Sequence, residues 1–178
     1  MTLQIQKQTT FLDAYPVGQI RRNHGLEHAT LHVLAQRYPH MAAAGHSDMG
    51  GFWIIVNLPA EEVRSAVEEA LRRLRNGESH LAVHPNCGTN IVTAGTLAGL
   101  AGALAMFGVG RRGKDKLERL PLAISLATLA LIAAQPVGMF LQSNVTTSGN
   151  PGALEVIEIK TSQRGRVQAH RIITGESA

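Results

Sequence analysis

A single cysteine, Cys87, leaves this chain no internal disulfide, so no oxidised framework can substitute for a hydrophobic core. Aromatic residues are scarce, at 4%. They do not interleave with the basic residues, which excludes a stacking nucleic-acid surface despite a net charge of +4. Met1 to Gln19 lacks a basic stretch followed by an apolar run, so no signal peptide is expected there. Charged residues make up 17% of the chain, against about 25% in ordinary soluble domains. Their absence is local. None occurs from Gly88 to Gly110 or from Leu120 to Gln142, two stretches of 23 residues each.

A helix of that length crosses a hydrocarbon core of about 30 Å. Gly95, Gly99 and Gly102, among alanines, place small residues three and four apart, the spacing that lets membrane helices approach closely. Residues 88–142 therefore read as a transmembrane helical hairpin. The bilayer is its expected partner, with a second copy or another membrane protein packing on the Gly/Ala-rich helix. The link between the stretches, Arg111 to Arg119, carries five basic residues and reads as a cytoplasmic loop by the positive-inside rule. Arg72, Arg73 and Arg75, ahead of the first span, pull the other way and leave sidedness open. The expected location is a bacterial cytoplasmic-type membrane.

Outside the hairpin the pattern is mixed, and the expected class is α+β with two helices and about three strands. One helix is predicted from about Val17 to Tyr38, ending before Pro39. A second opens at Pro59-Ala60-Glu61-Glu62, carries the stripe Val63, Ala66, Val67, Ala70, Leu71 and Leu74, and stops at Asn76-Gly77. Gly51 to Leu58 reads as a strand, and Leu154–Ile159 and Val167–Ile173 as a hairpin turning at Ser162–Gly165 and pairing with it. Residues 39–50 read as a loop, and residues 2–12 as a short strand or arm. The implied organisation is an N-terminal α+β domain over 1–87, the membrane hairpin over 88–142, and a C-terminal β-hairpin over 143–178 packing on the first domain.

The motif with chemistry in it is His24-x-x-Glu27-His28. In a helix, His24 and His28 lie one turn apart on one face, and two imidazoles so placed can hold one metal ion, with zinc the usual guest. Glu27 is beside them as a candidate general base. The bland alternative is a His-rich polar helix face. Catalytic zinc needs a third protein ligand and an open position. His84 is the first candidate, held extended by Pro85. Cys87, three residues on, is a ligand instead of it or with it. Three ligands and a water would make a hydrolase. His₃Cys would be closed and structural, as in a non-enzymatic membrane subunit whose cluster holds a metal or porphyrin. His32 extends the face as a supporting or surface contact. His46 and His80 fall in predicted loops, and His40 and His170 follow no pattern. Asn86 and Asn90 can cap the first span, and Phe52 and Trp53 suit a core or a membrane interface. Arg21 and Arg22 read as a solvated or headgroup-facing pair, or as an oxyanion clamp.

Three segments carry a family resemblance: Arg21-Arg22-Asn23-His24-Gly25-Leu26-Glu27-His28-Ala29-Thr30, His84-Pro85-Asn86-Cys87-Gly88-Thr89-Asn90, and Gln135-Pro136-Val137-Gly138 with Val145-Thr146-Thr147-Ser148. Over most of residues 18–150 the chain resembles an uncharacterised bacterial family built on a domain of unknown function, which implies a small membrane protein with two spans. His24 to His28 alone also resembles the H-x-x-E-H signature of inverzincin metallopeptidases. That likeness implies zinc, a peptidase-like reaction and a distant glutamate ligand, for which Glu78 is the candidate.

Overall fold

The computed structural model describes residues 11–164 and 167–176. The arm expected over residues 2–12 lies outside them except for Phe11 and Leu12, which open a short 3-10 turn ending at Asp13. The chain divides into two compact units, one made of residues 1–84 and 143–178, the other of residues 85–142. Among the described residues the fold is α+β, with four α-helices and a four-stranded antiparallel sheet.

The first unit holds the sheet, in the order β1-β2-β4-β3, formed by β1 (Ala44–Asp48), β2 (Gly51–Ile55), β3 (Leu154–Arg164) and β4 (Val167–Glu176). Alternation on β2 sends Phe52 and Ile54 inward and leaves Ile55 exposed. Trp53, on the outer face, is stacked by the Arg171 guanidinium, 5.5 Å from the ring centre. Two helices cover the inner face, α1 (Val17–Arg37) and α2 (Ala60–Arg75). The stripe Val63, Ala66, Val67, Ala70, Leu71 and Leu74 on α2 joins Leu26, Leu34, Phe52, Ile54, Leu154 and Ile172 in one core. Glu61 and Glu62 begin α2 and Arg72, Arg73 and Arg75 end it, each sign where the helix dipole favours it.

Three elements differ from the sequence reading. Residues 39–50 are not all loop, because β1 forms within them and pairs with β2 from Ala44↔Ile55 to Asp48↔Gly51. Its sequence lacks β-branched residues; a tight turn at Met49-Gly50 and pairing with β2 hold it. The C-terminal strands run longer than expected, to Arg164 and Glu176. The basic link is mostly helix, since α4 (Gly113–Leu141) starts inside it.

The second unit is an antiparallel helix pair, α3 (Gly88–Ala105) and α4. Both helices are long and apolar enough to cross a membrane. At about 1.5 Å per residue they extend roughly 27 and 43 Å. Large apolar side chains point outward along both, among them Ile91, Leu104, Ile124 and Ile132. At one end of the pair a polar clasp joins the helices. Asn90 Nδ2 donates to the Pro85 carbonyl at 2.8 Å, and Gln142 Nε2 donates to Asn90 Oδ1 at 3.2 Å. Gly138 lies against Asn90 where a Cβ would not fit.

Candidate metal centre on helix α1

Helix α1 is gripped on two sides within the first unit, and the two grips use different residues. On the sheet side, buried Asn23 ties β1, the turn after it and β4 to the helix. Its Nδ2 donates to the carbonyls of Asp48 and Met49 at 2.9 and 3.2 Å, and its Oδ1 accepts from Thr174 Oγ1 at 2.7 Å. One turn on, the buried Glu27 carboxylate rests where Gly45 of β1 has no Cβ. Any side chain at position 45 would displace it.

On the other side, the segments 79–84 and 144–148 lie along α1. Gly25 makes this possible, because a Cβ there would strike the Ser148 carbonyl and crowd Ala82. The Ser148 amide in turn donates to the Arg21 carbonyl at 2.9 Å. These two segments present backbone carbonyls to the histidines. His24 Nδ1 donates to the Thr146 carbonyl at 3.0 Å, and His28 Nδ1 to the Ala82 carbonyl at 2.9 Å. His32, one turn further, uses Nε2 toward the Val83 carbonyl at 2.8 Å.

The four imidazoles of this side form one chain of contacts. Ring centres of His24 and His28 are 4.4 Å apart, those of His28 and His84 5.8 Å, and those of His84 and His32 5.0 Å. His28 is buried, and the other three are half-buried. Burial, with a smaller contribution from the neighbouring His32 charge, lowers the His84 pKa and favours its neutral form. Neutral imidazole is the form that binds a metal.

The chemistry of this arrangement is specific. A metal-binding histidine commonly donates one ring N–H to a carbonyl, which fixes its tautomer and makes the other nitrogen the donor to the metal. His24 and His28 both meet that condition at Nδ1, so a metal held by this pair would meet Nε2. Cys87 is buried at the N-cap of α3, three residues beyond His84, and belongs to the second unit. Glu78 is bound by Arg73, whose Nη2 and Nε donate to Oε2 at 2.8 and 3.0 Å, and this contact lowers the Glu78 pKa.

Other residues singled out in the sequence have plain roles. Arg21 is neither a solvated charge nor an oxyanion clamp. Its guanidinium donates to the carbonyls of Leu12, Asn144 and Thr147 and to Asp13. Arg22 pairs with Glu176 at the end of β4. His40, His46 and His80 are exposed. His170 is buried on the inner face of β4, with Nδ1 2.9 Å from Thr161 Oγ1. Sequence reasoning missed Asn23, although it sits inside the motif, and missed Gly45. An asparagine directly before the first histidine was a signal. The carbonyls of Ala82 and Thr146 had none, since every residue carries one.

The domain of unknown function DUF6391 matches residues 19–159. The chain belongs to this family. An uncharacterized protein of Picosynechococcus sp. is 39% identical over 157 residues, covering 82% of this chain and 75% of that protein. No solved structure matches. The family region takes in all of α2, α3 and α4 and most of α1, so the histidine face and the apolar hairpin lie within one family domain.

Proposed function

We propose that this protein is an integral membrane, zinc-dependent hydrolase, peptidase-like in its donor set. In this reading α3 and α4 span a bacterial cytoplasmic-type membrane. His24 and His28 hold the metal through Nε2, and His84 is the third ligand. The observation that carries the metal reading is the pair of Nδ1–H bonds to the carbonyls of Thr146 and Ala82. The outward apolar surface of both long helices supports the membrane reading. Zinc on such ligands lowers the pKa of a bound water toward about 7. Glu27 is the residue to accept that water's proton and pass it to the leaving amine of a peptide or lipid-linked amide.

A second reading has one observation in its favour. Glu27 packs against Gly45 on the sheet side of α1, about 100° around the helix from His28. If it stays there, the metal is structural and the protein is a non-enzymatic subunit of a membrane complex. Gly95, Gly99 and Gly102 have open space where a Cβ would go, so α4 does not use them, and they suit a second copy or another membrane helix.

Glu27→Gln separates the two readings. The hydrolase reading expects the variant to keep its metal and lose at least about a hundredfold in the cleavage of amide substrates. Unchanged cleavage with metal retained contradicts Glu27 as base. Metal retained with no cleavage by the wild type, across a broad peptide and lipid-amide panel, favours the structural reading.

A further inference from the structure

The turn of the helix pair sorts its charges. Residues 111–119 hold five cations and two carboxylates. Asp115 is half-buried and Glu118 is exposed. Asp115 packs against Gly110 where a Cβ would not fit, and Asp115, Glu118 and Arg119 line a cleft of about 390 Å³ with Phe107 and Gly108. Glu118 also pairs with Lys114 at 3.8 Å. Arg119 Nε donates to the Ala105 carbonyl at 3.1 Å, which closes the end of α3. Arg111, Arg112 and Lys116 remain exposed on the outside. Beside them Leu104, Phe107 and Leu117 are 73%, 84% and 67% exposed. The turn thus sets exposed apolar side chains beside Arg111, Arg112 and Lys116, with Glu118 offsetting Lys114.

We propose that this turn is a binding surface for anionic phospholipid headgroups. The proposal rests on the membrane reading above and adds a lipid class to it. A long apolar side chain beside Arg or Lys matches the boundary between acyl chains and phosphates: Phe107 and Leu104 enter the acyl region while Arg111, Arg112 and Lys116 meet the phosphates. Each cation near an anionic surface strengthens binding about fivefold.

The test uses the full chain in mild detergent, titrated with dioleoyl-phosphatidylglycerol or dioleoyl-phosphatidylcholine and read by native mass spectrometry. Phosphatidylglycerol binds the wild type at least about tenfold more tightly than phosphatidylcholine. In Arg111→Gln/Arg112→Gln/Lys116→Gln the two lipids bind nearly alike, whereas Lys160→Gln on the sheet keeps the preference. Equal binding of both lipids to the wild type overturns the proposal. So does a preference that survives the triple variant, or phosphatidylglycerol displaced by millimolar inorganic phosphate. Carbonate extraction of membranes from the same cells keeps the two readings separate. Wild-type protein released by carbonate sinks the membrane reading itself, while protein retained without lipid preference sinks only this inference.

Discussion

Leu34 and Leu104 are the same residue in two helices of one chain, and they end at opposite extremes, 2% and 73% exposed. Leu34 on α1 faces a sheet and a second helix. Leu104 on α3 faces outward from a pair that encloses only Ala105, Ala123, Ala134 and a few small or polar residues. The first unit is stabilised by excluding water from its interior. The helix pair buries few large side chains between its own two helices. Polar groups follow the same division. In the first unit they anchor strands and histidines to α1, and in the pair Asn90 and Gln142 join the helices while Thr93, Ser125 and Thr128 bond carbonyls of their own helices.

That contrast is broken or sharpened most by deleting a large apolar side chain from each unit. Phe52→Ala removes a fully buried ring from the sheet core and is expected to cost about 4 kcal/mol, much of the stability of a unit this size. Leu129→Ala, on the outer surface of α4, is expected to cost less than about 0.5 kcal/mol in detergent. Denaturant titration of the full chain, followed by circular dichroism, reads both. A large loss for Leu129→Ala would mean that this surface is buried against another protein chain.

Next in size is Gly25→Val, which forces a side chain against the Ser148 carbonyl and is expected to cost about 1–3 kcal/mol while leaving the helix pair intact. A neutral result in the same titration would show that the segment 144–148 does not lie along α1.

Acid should act on the first unit in two separate windows. Burial pushes the His170 pKa below its usual 6.5. The unfolded chain therefore takes up that proton first, so the contribution of His170 to stability is complete above about pH 6.5 and is lost as pH falls toward the folded value. Asp48 is shifted down from 3.8 by its bond to Arg171, so its contribution persists until pH falls below that value. The denaturation midpoint is expected to fall between pH 7 and pH 5, and to fall less in His170→Gln. An equal fall in both would place the acid sensitivity elsewhere. The smallest effect belongs to Asp48→Asn. Its ion pair with Arg171, at 2.7 Å, is half open to solvent on the Asp48 side, and the loss is expected to stay under about 1 kcal/mol.

The sequence was most readable where a period or an exclusion forces one answer. The stripe of α2, the β-rich run at Gly51 and the uncharged stretches on α3 and α4 all fall in this class. It was least readable at β1, where Ala44-Gly45-His46-Ser47-Asp48 has no strand signal of its own and forms by pairing with β2. The start of α4 was hidden because its charges read as loop, although Lys114 and Glu118 are spaced to support a helix. At the candidate site, the spacing of His24 and His28 was legible as a shared helix face. The carbonyls that orient both rings come from residues 82 and 146, far along the chain, and a backbone oxygen leaves no trace in a sequence. Glu27 was legible as a neighbour of the histidines but not as a residue turned toward the sheet, because Gly45, which admits it, lies in the unrecognised strand.

The measurement that bears most directly on the central claim is elemental analysis of the detergent-purified full chain, wild type and His28→Ala side by side. About one zinc per chain in the wild type, and loss of it in His28→Ala with unchanged circular dichroism, is the expected result. No metal in either protein, or the same metal content in both, would contradict a zinc centre on α1 and leave its histidines as structural contacts to the carbonyls of residues 82, 83 and 146.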